Sequence, residues 1–202
     1  AAVAGTQEFA FDLPVASALS EGDELWVRLA VRYPAGFDFT NPGYSALKLL
    51  SFIRSAAKGN RRRGDVHVGI KPDQSLTTFN DLENVVSGDM DLAGSSLPTD
   101  SWALVEVYIN FSALAADNGG TGAIKVWVDG SPVGEAVRET LQDSADLVTA
   151  VSWHQQWDGT APALQDCWVD QIAYAVRTGT VDDTTNMATD TNGFPFIGSA
   201  AQ

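Results

Sequence analysis

Residues 101–134 read SWALVEVYINFSALAADNGGTGAIKVWVDGSPVG, and this stretch decides the fold class. Val105, Val107, Ile109 and Phe111 alternate with Glu106, Tyr108 and Asn110; beyond a glycine-bearing turn, Ile124, Val126 and Val128 alternate with Lys125, Trp127 and Asp129. A period of two sends apolar side chains to one face and polar ones to the other, so these are half-buried strands. Asp129-Gly130 suits a two-residue hairpin, because both central residues of such a turn take positive φ. The sequence therefore predicts an antiparallel turn into a third short strand.

Working outward, Leu25, Val27, Leu29, Val31 and Tyr33 alternate with Trp26, Arg28, Ala30 and Arg32, and Pro34-Ala35-Gly36 ends that run. Ala46 to Arg54 is apolar throughout and bracketed by Gly43 and Gly59, which suits a buried strand. From Asp65 to Lys71, Val66, Val68 and Ile70 face inward, which sends His67 and Lys71 to the opposite face. Residues 72–100 form a long polar excursion with one short strand near Leu76 to Phe79. Two further strands are expected at 147–155 and 166–176. Strands in series with glycine and asparagine turns, and no long amphipathic helix, predict an all-β, two-sheet antiparallel sandwich. The domain expected is 1–176. Residues 177–202, RTGTVDDTTNMATDTNGFPFIGSAAQ, read as an extended C-terminal arm that is polar until Phe194, Phe196 and Ile197.

Charge narrows the partners. With 26 acidic and 12 basic residues the net charge of −14 disfavours nucleic acid and anionic membranes. The start AAVAGTQEFAF lacks the basic and apolar runs of a signal peptide, and no membrane insertion is expected. Cys167 is the single cysteine, which leaves no intrachain disulfide and no cysteine-cluster zinc site. Its alternation with Val169 reads as a buried, inert thiol.

The segments LWVRLAVRYPAGFDF, ALKLLSFIR, VEVYIN, IKVWVDG and WVDQIAYAV together resemble the concanavalin A-like jelly roll, in its laminin-G-like and polysaccharide-lyase-like forms. The resemblance spans about Glu24 to Val176. It implies a two-sheet jelly roll whose free concave face receives sugars. Lyases of this type carry Gln-x-His on one inner strand and Tyr-x-Gln near a lysine on another. Here Asp65-Val66-His67 stands at the first motif, and Trp153-His154-Gln155 stands at the second, with Thr149 at the lysine position. An indole cannot shuttle a proton near neutral pH, so the tyrosine role is absent at 153. As a lyase, the chain would use His67 as base, Arg54 or Lys71 to neutralise a carboxylate, and Tyr108 or His154 as acid. Domains of this resemblance also occur in bacteriophage particles.

Glycan binding asks for aromatic faces and hydrogen-bonding neighbours, for which the candidates are Trp127, Tyr108, Lys125, Trp153, Gln155 and Trp157. The basic cluster Lys58, Arg61, Arg62 and Arg63 is a candidate anion or partner site. Asp89-Met90-Asp91 and Asp182-Asp183 offer the oxygen ligands that calcium takes, and Asp190-Thr191-Asn192-Gly193 matches only part of a calcium loop; the expectation is no cofactor, with calcium as the alternative. A glycosidase-type Glu-x-Asp-x-x-Glu run is absent. The leading expectation from sequence is a non-enzymatic attachment module of a virion or cell surface, assembling with its own copies through Phe194, Phe196 and Ile197 and binding polysaccharide. The alternatives are a polysaccharide lyase acting on uronate glycans and a soluble lectin.

Overall fold

The computed structural model describes residues 11–40, 46–54, 64–80, 90–92, 94, 96–153 and 165–198, with 11–17, 53–54 and 64–65 described in backbone only. In chain order the strands are β1 (Phe11–Leu19), β2 (Glu24–Arg32), β3 (Leu47–Arg54), β4 (Gly64–Ile70), β5 (Leu76–Asn80), β6 (Met90–Asp91), β7 (Trp102–Asn110), β8 (Ala123–Val128), β9 (Ser131–Val137), β10 (Val148–Trp153), β11 (Trp168–Arg177), β12 (Ala188–Thr189) and β13 (Pro195–Phe196). Short 3-10 turns lie at Ala116–Asn118 and Asp183–Asn186. Strand order is β1-β10-β3-β4-β5-β6 in one sheet, β11-β2-β7-β8-β9 in a second, and β12-β13 form a separate hairpin. Every named pairing is antiparallel. This is the expected two-sheet jelly-roll sandwich.

Alternation sets the faces. Val27, Val107 and Val126 lie in register across β2, β7 and β8 and point at the opposite sheet, where they meet Leu50, Phe52, Val66, Val68 and Val151 in one buried core. Fully burying each such side chain contributes about 1.5–3 kcal/mol, which fixes the register because a one-residue slip would turn the whole set outward. Asp129 (φ 49°) and Gly130 (φ 76°) adopt the left-handed pair of a tight hairpin, as the Asp-Gly dipeptide requires. The Asp129 carboxylate also accepts the Leu104 amide at 2.8 Å, tying the turn to β7.

The C-terminal segment differs from the extended arm that the sequence suggests. After β11 the chain turns back and lays the β12–β13 hairpin on the outer face of the five-stranded sheet. There Met187, Phe194, Phe196 and Ile197 pack on Trp26, Tyr108, Trp127 and Ala175. The physical reason lies in β2, β7 and β8, whose outward-facing positions carry large aromatics that would otherwise be left to water. The hydrophobic end of the tail meets them within its own chain.

Candidate functional site

His67 sits on the outer face of the six-stranded sheet, opposite in sense to its core-facing neighbours Val66 and Val68. The register runs Ser152, Ser51, His67, Phe79 across β10, β3, β4 and β5, so these four side chains form one row. All four are buried, and His67 is 1% exposed. The Ser51 hydroxyl and His67 Nδ1 are hydrogen-bonded at 2.6 Å. The Phe79 ring lies 4.8 Å from the imidazole at 31°. Gly69 makes room for that ring, since a Cβ there would stand 2.7 Å from Phe79 Cε1. The imidazole is thus held on one edge by a hydroxyl and on one face by an aromatic ring.

Two cations share this face. Lys48 pairs in register with Gly69 and is buried. Lys71, at the end of β4, forms an ion pair with Asp91, which stands beside Thr77 on β6. Arg54 closes β3, and its side chain lies outside the described residues. Ser51 and Lys48 are absent from the sequence-derived candidates. Ser51 falls on the His67 side by simple alternation with Leu50 and Phe52. Lys48 was hidden because the β3–β4 register shifts between Lys48 and Leu50, which changes the apparent phase of the strand.

The outer face of the five-stranded sheet carries a second polar and aromatic group, closed by the tail. Tyr108 donates to Glu24 Oε1 at 2.6 Å, and Arg177 pairs with the other oxygen of the same carboxylate. Phe194 packs edge-on to Tyr108 at 4.8 Å, and both Phe194 and Phe196 stack over Trp127, at 5.8 and 6.1 Å. The Trp26 indole donates to the Pro195 carbonyl at 2.9 Å, and Arg28 donates to the Gly198 carbonyl. Glu106 accepts the Ile197 and Gly198 amides, and burial pushes its carboxyl up to about 7 against the pull of those bonds and of Arg28. Burial and Glu24 together push the Tyr108 phenol above its ordinary value. At one flank a cavity of about 190 Å³ is lined by Lys125, Trp127, Pro132, Glu135, Asp190 and Phe194.

The lyase set proposed from sequence is therefore divided. His67 and Lys71 share one outer face, whereas Tyr108 lies on the outer face of the other sheet, with the core between them. Stacked sheets are about 10 Å apart, which puts Tyr108 out of reach of anything held at His67. Trp153 is in the core, in register with Leu50, so on β10 it is Ser152 that shares the His67 face. His154, Gln155 and Trp157 lie outside the described residues, as do Lys58, Arg61, Arg62 and Arg63. Of the glycan candidates, Trp127 and Tyr108 are buried beneath the tail, and Lys125 lies 4.0 Å over the Phe194 ring and 3.4 Å from Glu135. Phe194, Phe196 and Ile197 spend their apolar surface on that same cover.

The acidic loops serve local structure. Asp190 Oδ1 accepts the Asn192 and Phe194 amides at 2.8 and 2.9 Å, and Oδ2 accepts the Trp127 indole at 3.1 Å. Asp182 caps its own turn through Thr184. Burial and Asp166 push the half-buried Cys167 thiol up to about 11, which keeps it protonated and unreactive.

No family model matches the chain, and no curated protein matches it. Solved structures do resemble it. An endo-β-1,4-glucuronan lyase from the fungus Trichoderma reesei superposes with a TM-score of 0.59 at 16% identity, covering 84% of this chain and 74% of that one. The alginate lyase vAL-1 from Chlorella virus gives 0.53 at 16% identity over 77% and 72%. A mutant alginate lyase in complex with alginate trisaccharide gives 0.52 at 14% identity over 80% and 76%. These likenesses correct the expectation of a non-enzymatic virion or surface module: these three solved structures are polysaccharide lyases, which is the alternative reading of the sequence and not its leading one. The two-sheet topology and these superpositions lead to one conclusion, that this chain has the concanavalin A-like jelly-roll fold, which these polysaccharide lyases share.

Proposed function

We propose that the chain is a polysaccharide lyase that cleaves uronate glycans by β-elimination on the outer face of the six-stranded sheet. The observation that carries the reading is the pairing of His67 with Ser51 at 2.6 Å, in a fold shared with glucuronan and alginate lyases. β-Elimination removes the proton α to a uronate carboxylate and breaks the bond to the glycosidic oxygen one carbon away. A carbon–carbon double bond forms, and the departing oxygen takes a proton. The base is His67 Nε2, which holds a lone pair when Nδ1 carries the hydrogen and donates it to Ser51 Oγ. With Tyr108 on the other sheet, the imidazolium formed in the first step returns its proton to the leaving oxygen, so one residue serves as base and then acid. A cation on the same face, Lys48 or Lys71, offsets the charge that builds on the carboxylate. Because His67 is 1% exposed, this reading requires the outer face to open to the polymer before reaction.

The test is the unsaturated product, whose conjugated double bond absorbs in the near ultraviolet. Wild-type protein given glucuronan, alginate and polygalacturonate in turn should generate that absorbance on at least one. His67→Ala should reduce it by a factor of about 10² or more. No absorbance from the wild type on any of these polymers, or an undiminished rate in His67→Ala, rules the reading out.

A further inference from the structure

The tail hairpin leaves one end of its sheet uncovered, and the side chains there are unusual. Trp168 on β11, Arg32 on β2 and Trp102 on β7 are consecutive in register, so they stand side by side in one row on the outer face. Trp168 is 45% exposed, Trp102 47%, and the Arg32 side chain 40%. Single exposed apolar residues need no explanation, but two indoles flanking a guanidinium on adjacent strands expose a contiguous amphipathic surface. The Arg32 guanidinium lies 5.4 Å over the Trp168 ring and 3.3 Å from the exposed Asp100 carboxylate. An exposed pair of that kind contributes little to stability, about 0–1 kcal/mol, so the guanidinium exchanges partners readily.

We propose that the Trp168–Arg32–Trp102 row is a second binding site for an acidic polysaccharide, separate from the His67 face. It takes its ligand class from the lyase reading above. Adjacent strands are about 4.8 Å apart, so the outer two positions of the row are separated by about 10 Å. That is the scale of two linked pyranose rings. Indole faces stack on the apolar faces of pyranoses, and a guanidinium between them offers a planar fork to a uronate carboxylate. A folded protein fits poorly, because a stable protein interface buries on the order of 1,000 Å² or more and this patch is three side chains wide. Asp100 and Asp170 stand beside the row, so Arg32 engages a uronate by releasing Asp100 and taking one sugar carboxylate in its place.

Retention in native gels cast with glucuronan, alginate or neutral hydroxyethyl cellulose tests this, using the His67→Ala background so that the polymer stays intact. Retention by at least one acidic gel should fall about tenfold or more in Trp102→Ala/Trp168→Ala, and return substantially in Trp102→Phe/Trp168→Phe. Arg32→Gln should abolish the preference for acidic over neutral polymer. Equal thermal midpoints keep a folding defect from imitating the effect. Undiminished retention in the double alanine variant, or no retention of the parent by any acidic gel, overturns the proposal. So does a wild-type dimer that the double variant converts to monomer, since the row would then be a self-interface. Tryptophan-dependent retention with no unsaturated product sinks the lyase reading and leaves this site standing. Cleavage with tryptophan-independent retention does the reverse.

Discussion

The carboxylate of Glu106 on β7 accepts the backbone N–H of Ile197, 91 residues later in the chain. Its second oxygen accepts the Gly198 amide at 3.1 Å, and Arg28 donates to the carbonyl of that same glycine. A charged group beneath the tail thus holds the last turn of the hairpin, and its desolvation sets up a titration near neutrality.

Stability should fall as pH rises through this window. Burial lifts the folded pKa of Glu106 from 4.5 to about 7, so the folded state binds that proton more tightly than the unfolded chain does. The contribution is fully present below about 4.5 and lost as pH passes about 7. Each pH unit inside the window changes stability by at most about 1.4 kcal/mol, for a total on the order of 1–3 kcal/mol. Thermal midpoints of wild type and Glu106→Gln measured from pH 4.5 to 7.5 check this. The variant should show a flatter fall across this window, since the Glu106 contribution is gone. Parallel profiles would mean that Glu106 does not titrate here.

Tyr108→Phe separates stability from chemistry. The phenol donates a buried 2.6 Å bond to Glu24, so its removal should cost about 1–2 kcal/mol in denaturant unfolding. Uronate cleavage should be unchanged, because the hydroxyl is on the wrong sheet to reach a substrate at His67. A large loss of rate with intact folding would restore Tyr108 as the acid.

Gly69→Ala should damage both. The new Cβ would meet Phe79 Cε1 at 2.7 Å, the Ala46 side chain at 3.0 Å and the Leu47 carbonyl at 3.1 Å. The aromatic ring must move, and with it the face that supports His67. Overpacking of this kind costs about 1–3 kcal/mol. Cleavage should fall even at temperatures where the variant remains folded. A wild-type rate would show that Phe79 does not position the imidazole.

Much of the sandwich was legible because alternation is local. The faces of Val66, His67 and Val68, and the Asp129-Gly130 hairpin, follow from a few consecutive residues. Strand β1 was not foreseen: Pro14 interrupts it, and its segment FDLPVASAL carries small residues where a strand signal wants branched ones. Trp153 reads as an aromatic near a polar face, although its spacing from Val151 puts it with the core. The separation of Tyr108 from His67 could not be read, since periodicity orders side chains along one strand and is silent on which sheet the strand joins. The fate of the tail was the least local feature. Trp26, Tyr108 and Trp127 each looked like an aromatic on a polar face, and only the registers Trp26–Tyr108 and Glu106–Trp127 gather them into a patch large enough to demand a cover.

That cover also dictates an order of events during synthesis. The contacts Trp26 to Pro195 and Arg28 to Gly198 span 169 and 170 residues. A ribosome delivers β2, β7 and β8 long before it delivers their lid. Until the hairpin segment emerges, the nascent sheet must present three naked aromatic rings to the cell, and contacts of such separation are the slowest to form. The interval between completing the sandwich and closing the hairpin is when this chain is most exposed to misassociation, and chaperone demand should concentrate there.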